Sequence, residues 1–458
     1  MMKDYSEFLA TKFSRAVPSG FKPKNLNPYL KPFQADLSDW FCRLGRASCN
    51  AATGLGKSLM ELAVAEQVVR YTGKDALIVT PLAVAQQFLS EAEKFNIGMD
   101  VTLCREAADV KRGINVINYD RLHKLDPSRF IMVAPDESSV MKHIGSQTRH
   151  QLIDMFRLTP YKLPATATPA PNDYMELGNQ SEFCGWMSRA EMLATFFVHD
   201  SGDTAKWRLR KHAEVMFWKW MASWAAMVRK PSDLGYDNEG YDLPPLQYHE
   251  HVVETESAPG WLFPTEAKTL ADQREARRDT INERTALVAD LANKSTDKWI
   301  VWCNLNDESK LAAKSIPDSI EVTGSQSVDE KEEKLTAFLR GQSRVLVTKA
   351  SIAGFGLNMQ LCHNMAFLGM DHSFESWFQA IRRCWRFGQT CPVDVHVIVS
   401  DRDAAIVANI RRKESDYERM MAGMASAMQT EMRKNVRGTS MDVTEYKPQK
   451  AMTLPSWI

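Results

Sequence analysis

The stretch Ala51-Ala-Thr-Gly-Leu-Gly-Lys-Ser58 constrains this chain more than any other. A turn of small residues that runs straight into Lys57, Ser58 and a helical pattern lets backbone N–H groups wrap phosphate oxygens while the ammonium neutralises charge. Leu59, Leu62, Val69 and several alanines recur at helical spacing, so the helix start directs its partial positive charge at the same place. Thr53, Gly54, Leu55, Gly56, Lys57 and Ser58 are therefore expected to hold the phosphates of a nucleotide triphosphate, with Ser58 on Mg²⁺. Ala51 stands where such loops usually open with Gly, so the match is to the Gly-x-Gly-Lys-Ser core.

The 458 residues allow two or three domains with separate cores. Lys plus Arg equals Asp plus Glu at 57 each, so a nucleic-acid partner would be held by local patches and neutral donors rather than by overall charge. None of the eight cysteines forms a C-x-x-C pair, which points to buried thiols in a reducing compartment and to no structural metal. No charged-then-apolar leader opens the sequence and no apolar run reaches membrane-spanning length, so an intracellular protein with no membrane partner is expected.

Residues 1 to about 24 carry Lys12, Arg15, Lys22 and Lys24 between Pro and Gly breakers and read as an extended arm. Gln34 precedes the phosphate loop, and its amide can both donate to and accept from an adenine edge. Three strands follow: Ala76-Leu-Ile-Val-Thr80 closed by Pro81, Ile114–Tyr119, and Phe130–Ala134. Helix-length segments separate them, so a parallel sheet wrapped by helices is expected, with ligands at the carboxyl ends of its strands. The third strand delivers Asp136-Glu137, two adjacent carboxylates suited to a division of labour: Asp136 on the metal, Glu137 as general base toward the attacking water. Leu163-Pro-Ala-Thr-Ala-Thr-Pro169 offers two hydroxyls at a further strand end. From Phe183 to about Pro245, Trp186, Trp207, Trp218, Trp220 and Trp224 interleave with Arg and Lys. That pattern fits either a nucleic-acid clamp or packed core, and a helical insert bridging two lobes is expected.

Beyond the Asp242–Leu246 linker a second α/β set begins, with a charged helix from about Lys268 and strands at 299–303, 320–323, 344–348, 365–368 and 393–399. It has no phosphate loop of its own and should complete the site across a cleft. Ala353-Gly-Phe-Gly-Leu-Asn358 is a turn where backbone can approach a ligand, and Gln379–Gln389 sets Arg383 and Arg386 on one expected helical face as candidate arginine fingers. The C-terminal segment carries Tyr417, Met420, Met421, Met424, Met428 and Met432, a stripe suited to packing or to an adaptable partner surface, and then a polar tail ending in Trp-Ile.

In order and spacing these strings resemble the superfamily-two helicases and translocases, and among them the Snf-type ATPases, most of all the short helicase-like proteins of bacteriophages and prophages. Gln34 matches the adenine-reading glutamine, Gly54–Ser58 the first motif, Thr80-Pro81 the next, Asp136-Glu137 the Asp-Glu box, Thr166–Pro169 the Thr-Gly-Thr-Pro string, Gly354–Asn358 the fifth motif and Gln379–Gln389 the sixth. Ser138-Ser139 in place of Ala-His, Ala167 in place of Gly and Arg382 in place of Asp are departures. The resemblance implies an α/β chain of two RecA-like lobes with a helical insert between them. The expected boundaries are an arm at 1–24, an ATP-binding lobe at 25–180, the insert and linker at 181–245, a second lobe at 246–400, and a helix and tail at 401–458. It implies ATP and Mg²⁺ as cofactors, Gly354, Gly356 and Gln379 near the nucleotide, and cytoplasmic location in a bacterial or phage-infected cell. Pro81, Tyr119, Thr166, Thr168, Gly324 and Ser351 are expected to meet a nucleic-acid backbone without reading sequence. The expected activity is DNA-dependent ATP hydrolysis coupled to movement along DNA. The alternatives are a strand-separating helicase on DNA or RNA, and a nucleotide-switched assembly factor with a protein partner at the insert or C-terminal tail.

Overall fold

The computed structural model describes residues 19–142, 145–171, 173–200, 203–254, 278–353, 358–370 and 373–437. The N-terminal arm up to residue 18, Gly354 and Gly356, and the Trp-Ile tail lie outside them.

Two parallel sheets organise the chain. In the first, five strands lie in the order Val101–Leu103, Ile114–Asn118, Asp75–Thr80, Phe130–Pro135 and Tyr161–Lys162. Three more, Ala165–Thr166, Ser48–Ala51 and Ala225–Val228, continue it, joined by a parallel bridge between Arg46 and Lys162. Alternation along each strand divides the core. Leu77, Val79, Ile117 and Val133 pack on one face, while Ala76, Ile78, Val116 and Met132 pack on the other. The second sheet runs Leu246–Val253, Val393–Ser400, Asn364–Phe367, Trp299–Cys303, Val345–Lys349 and Ser319–Val322, also parallel throughout. Trp299, Val301, Val345 and Val347 face one layer, and Ile300, Trp302 and Leu346 the other. These are two RecA-like lobes, as expected.

The aromatic segment forms the expected helical region, with a hairpin and a strand added. It contains the helices Leu177–Cys184, Arg189–Phe196 and Glu214–Ala222, an antiparallel hairpin of Phe197–Asp200 with Asp203–Leu209, and then the strand Ala225–Val228, which pairs in parallel with Ser48–Ala51. The helix stops at Ala222, where the chain turns to join the first sheet. Phe217, Trp218, Trp220 and Trp224 are buried and stack on one another and on Phe196, which makes them core rather than a clamp.

After the second sheet, the helix Ala404–Arg437 crosses back to the first lobe. Its methionines Met421, Met424, Met428 and Met432 are buried against Trp224, Met227 and their neighbours, so the stripe is packing. Tyr417 donates its hydroxyl to the Ala167 carbonyl at 2.8 Å, Arg433 donates to the carbonyls of Ser232 and Asp233, and Asn435 to that of Ala222. No helix among the described residues is long and apolar enough to cross a membrane.

Candidate active site

The strand Ser48–Ala51, buried at every residue, aims the chain at the cleft between the lobes. Gly54 and Gly56 then adopt left-handed backbone (φ 89° and 78°), and the helix Lys57–Thr72 starts immediately behind them. A Cβ on Gly56 would meet the Gln34 amide nitrogen at 2.3 Å. A Cβ on Gly54 would press on Phe387 of the second lobe at 2.9 Å. Both positions need glycine for close approach as well as for conformation. Lys57 donates to the Ala51 carbonyl at 3.0 Å, folded back over the loop it closes. Gln34 accepts from the Lys31 N–H at 2.8 Å and donates to the Leu55 carbonyl at 2.9 Å, so its amide fixes the phosphate loop.

Asp136 and Glu137 lie at the end of Phe130–Pro135, beside this loop. Asp136 is 4 % exposed and accepts from Thr80 Oγ1 at 3.1 Å. Burial, reinforced by the Glu137 carboxylate, pushes its carboxyl up to about 7, against the pull of Lys57 and Thr80. Glu137 sits in the left-handed region at φ 50°, a conformation that a non-glycine residue holds only where its surroundings enforce it. Its Oε2, with Thr53 Oγ1, Ser138 Oγ and Thr168 Oγ1, is buried without a partner. Buried polar atoms without partners ask for a polar ligand. Phosphate oxygens and a hydrated Mg²⁺ fit this set, since it offers hydroxyls, carboxylates, an ammonium and helix-start amides together.

Sequence reasoning missed Glu61. It lies one helical turn beyond Lys57, is 0 % exposed, and neither carboxyl oxygen has a hydrogen-bond partner. Burial first, then the neighbouring Asp136, raises its pKa well above the ordinary carboxylate range. A carboxyl in an otherwise apolar stretch of Leu, Ala and Val was the available signal.

From the second lobe, Arg383 reaches the same place. It is 3 % exposed, its guanidinium donates to Gln379 Oε1 at 3.2 Å, and burial lowers its pKa to about 10 against the opposing charge of Glu137. Arg386 faces Glu91 and Glu137. The helix Phe374–Ile381 ends before both arginines, which are therefore carried by the following turns and not by one helical face. Gln389 pins those turns by donating to the carbonyls of Gln360, Cys362 and Cys384. Trp385 ties them to the linker through the Pro244 carbonyl, and Phe387 stacks on Tyr241 with centroids 4.7 Å apart. An ion pair between Lys142 and Glu375 also joins the lobes.

Three of the residues expected at a nucleic-acid backbone make internal hydrogen bonds or are buried. Thr166 and Thr168 are fully buried, the Thr168 N–H bonding Thr166 Oγ1 at 3.0 Å. The Tyr119 hydroxyl donates to the Asp136 carbonyl at 2.5 Å. Gly324 and Ser351 remain exposed and Pro81 half-buried.

Residues 282–388 match the model of the helicase conserved C-terminal domain. Among solved structures the chain is similar to the Sulfolobus solfataricus SWI2/SNF2 ATPase core in complex with dsDNA, at 18% identity over 91% of this chain and 98% of that one, with a TM-score of 0.42. Nothing among curated proteins matches it. The helicase C-terminal domain at 282–388 thus brings Arg383 and Arg386 against the phosphate loop and Asp136-Glu137 of the lobe before it, the arrangement of an ATP-hydrolysing enzyme.

Proposed function

We propose that the chain is a Snf-type, DNA-dependent ATPase that converts closure of its two lobes into movement along DNA. The observation that supports it best is the burial of Arg383, a residue of the second lobe, at the carboxylates of the first. A guanidinium placed across a moving interface makes hydrolysis conditional on closure, and a strand gripped by both lobes would favour closure.

In this reading the amides of Gly54 to Ser58 and the Lys57 ammonium hold the phosphates, while Ser58 and Asp136 hold Mg²⁺. When bound with ATP, the metal supplies positive charge that offsets the phosphate oxygens. Glu137 orients the attacking water and takes its proton. Its left-handed backbone fixes the carboxylate's direction, and its unpaired Oε2 is free to accept. Arg383 and Arg386 meet charge as it moves toward the leaving oxygens, and Gln379 holds Arg383 in place. Gln34 acts on the loop as well as on adenine, so its loss should loosen nucleotide binding. Pro81, Gly324 and Ser351, at strand ends on the cleft, are the contacts proposed for the strand's backbone.

ATP hydrolysis by the wild type and by Lys57→Ala, with no polymer, single-stranded DNA, duplex DNA or RNA, tests this directly. Strong stimulation by DNA that vanishes in Lys57→Ala is the expected result. Lys57-dependent hydrolysis indifferent to every polymer would sink the motor reading.

A further inference from the structure

Tyr241 belongs to the linker, and two aromatic contacts decide where its ring sits. Phe33, the neighbour of Gln34 in the helix Pro32–Leu44, meets it edge-on with centroids 5.4 Å apart and the planes at 85°. Phe387 of the second lobe stacks on it at 4.7 Å, 20° from parallel. The loop before Tyr241 is fastened at several points. The Ser232 N–H donates to Asn238 Oδ1 at 2.9 Å, the Tyr241 N–H to the Asn238 carbonyl at 2.7 Å, and the Tyr236 hydroxyl to Asp36 of the helix that carries Phe33. Arg433 of the C-terminal helix donates to the Ser232 carbonyl at 2.8 Å. A linker that only spans a gap needs no such bonds.

The stack keeps accessible surface and borders the phosphate loop. Phe387 is 39 % exposed and Tyr241 half-buried. The Phe387 backbone lies so near Gly54 that a Cβ there would come within 2.9 Å of its N and Cβ. Gln34, which follows Phe33, holds the same loop through the Leu55 carbonyl. First lobe, linker and second lobe therefore meet at one pair of rings. A flat aromatic face held in place and left open pairs best with another π-system. Phe387 also follows Arg386 directly, and Trp385 donates to the Pro244 carbonyl of the linker at 2.7 Å, so the stack and the arginine turn cannot shift independently.

On the reading that the first lobe binds a nucleoside triphosphate, we propose that the purine base of that nucleotide seats on the Tyr241–Phe387 stack, and that Tyr241 is the positioning residue through which the base holds the arginine turn in its working place. The phosphates engage the loop of the first lobe. The base engages the linker and the second lobe as well. Turnover then answers to the base, and a triphosphate without one fills the loop without steadying the arginines.

The test compares the full chain with Tyr241→Leu, Phe387→Leu and Tyr241→Phe, measuring kcat and KM for ATP and CTP and the inhibition of ATP hydrolysis by inorganic tripolyphosphate. Leucine keeps apolar bulk and removes the ring face, whereas Tyr241→Phe keeps the ring. Both leucine variants should lose about 5- to 100-fold in kcat/KM on ATP, the range that a base–aromatic stack contributes. The loss on CTP should be several-fold smaller, since its single ring covers less of the stack. Part of the loss on ATP should fall in kcat, because the arginine turn loses its hold together with the base. Tyr241→Phe should recover most of it. Inhibition by tripolyphosphate, which has no base, should be the same in every variant and so show that each is folded. Equal losses on ATP and CTP, or a matching loss of tripolyphosphate inhibition, would make the rings structural and overturn the proposal, as would no loss at all. A loss confined to KM overturns the link to the arginines. Hydrolysis that persists in Lys57→Ala removes the nucleotide-site reading, and the proposal with it.

Discussion

The strand ends of the two lobes face one cleft, but they carry opposite chemistry. The first lobe presents acids, with Glu61, Asp136 and Glu137 crowded beside Lys57, and leaves several polar atoms without partners. The second presents the guanidinium groups of Arg383 and Arg386 and, farther along its sheet, a cavity with the Lys349 ammonium. Neither set is complete alone. The first lobe can bind phosphate but cannot stabilise charge moving toward the leaving group, and the second can do that only where the first supplies the phosphate. Turnover should therefore respond to the interface far more than nucleotide binding does.

Removing a guanidinium is the strongest way to break this contrast. Arg383→Ala should lower kcat by about 10³-fold or more, the range for an arginine that meets transition-state charge, while equilibrium binding of a fluorescent ATP analogue stays within several-fold. Arg386→Ala should abolish turnover and likewise spare binding. A kcat within tenfold of wild type in both variants would mean that the second lobe does not complete the site.

The next effect concerns the first lobe alone. The pKa of Glu61 is raised well above 4.5 in the folded protein, and that of Asp136 to about 7. For an acid, a raised folded-state pKa means that the native state binds more protons between the unfolded value and the folded one. Stability of the nucleotide-free protein should therefore fall as pH rises through that window, which for Asp136 runs from about 4 to about 7. Glu61→Met keeps the side chain's bulk and removes the buried carboxyl. It should raise the melting midpoint at pH 8, an effect of about 1–3 kcal/mol, with a smaller gain at pH 5. A midpoint that drops equally at both pH values would show that Glu61 has a partner in solution.

The contrast between lobes also separates what the sequence makes legible from what it hides. Lys57, Asp136 and Arg383 can be read because each sits in a short string whose local geometry defines its surroundings. Ser48–Ala51 and Ala225–Val228 escape notice as strands because Ser-Cys-Asn-Ala and Ala-Ala-Met-Val lack β-branched runs, and only their pairing makes them strands. Leu246–Val253, just past the expected linker, escapes notice as a strand because it is an edge strand with one wet face. Tyr417 and Ala167 are 250 residues apart, and nothing in either segment announces the other. Thr166 and Thr168 are buried, and the Ala167 carbonyl between them is held by the C-terminal helix, a packing that the motif itself does not announce.

The bond from Tyr417 to Ala167 sharpens the comparison, because it ties the second lobe's exit helix to the first lobe's motif. Tyr417→Phe removes only the hydroxyl and should cost about 0.5–1.5 kcal/mol, read as a lower melting midpoint. ATP-dependent closure, followed by fluorescence transfer between labels on the two lobes, should then need more nucleotide. Unchanged closure would make the contact a feature of packing alone.

The smallest effect belongs to the Lys142–Glu375 pair. Both side chains keep some exposure, 16% and 18%, and burial already lowers the Lys142 pKa, so desolvation offsets part of the attraction. Lys142 is also anchored independently, since its carbonyl accepts from Asn179 at 2.8 Å and its backbone is held whether or not Glu375 is present. A double-mutant cycle of Lys142→Ala and Glu375→Ala, read on the nucleotide concentration for half-closure, should give a coupling of about 0.2–1 kcal/mol that shrinks as salt is raised. That value would place the pair as a guide to the register in which the lobes meet. A coupling several times larger would move the hinge of the machine from the arginines at the phosphate loop to this contact, and the two lobes would then differ less in chemistry than in how they are held together.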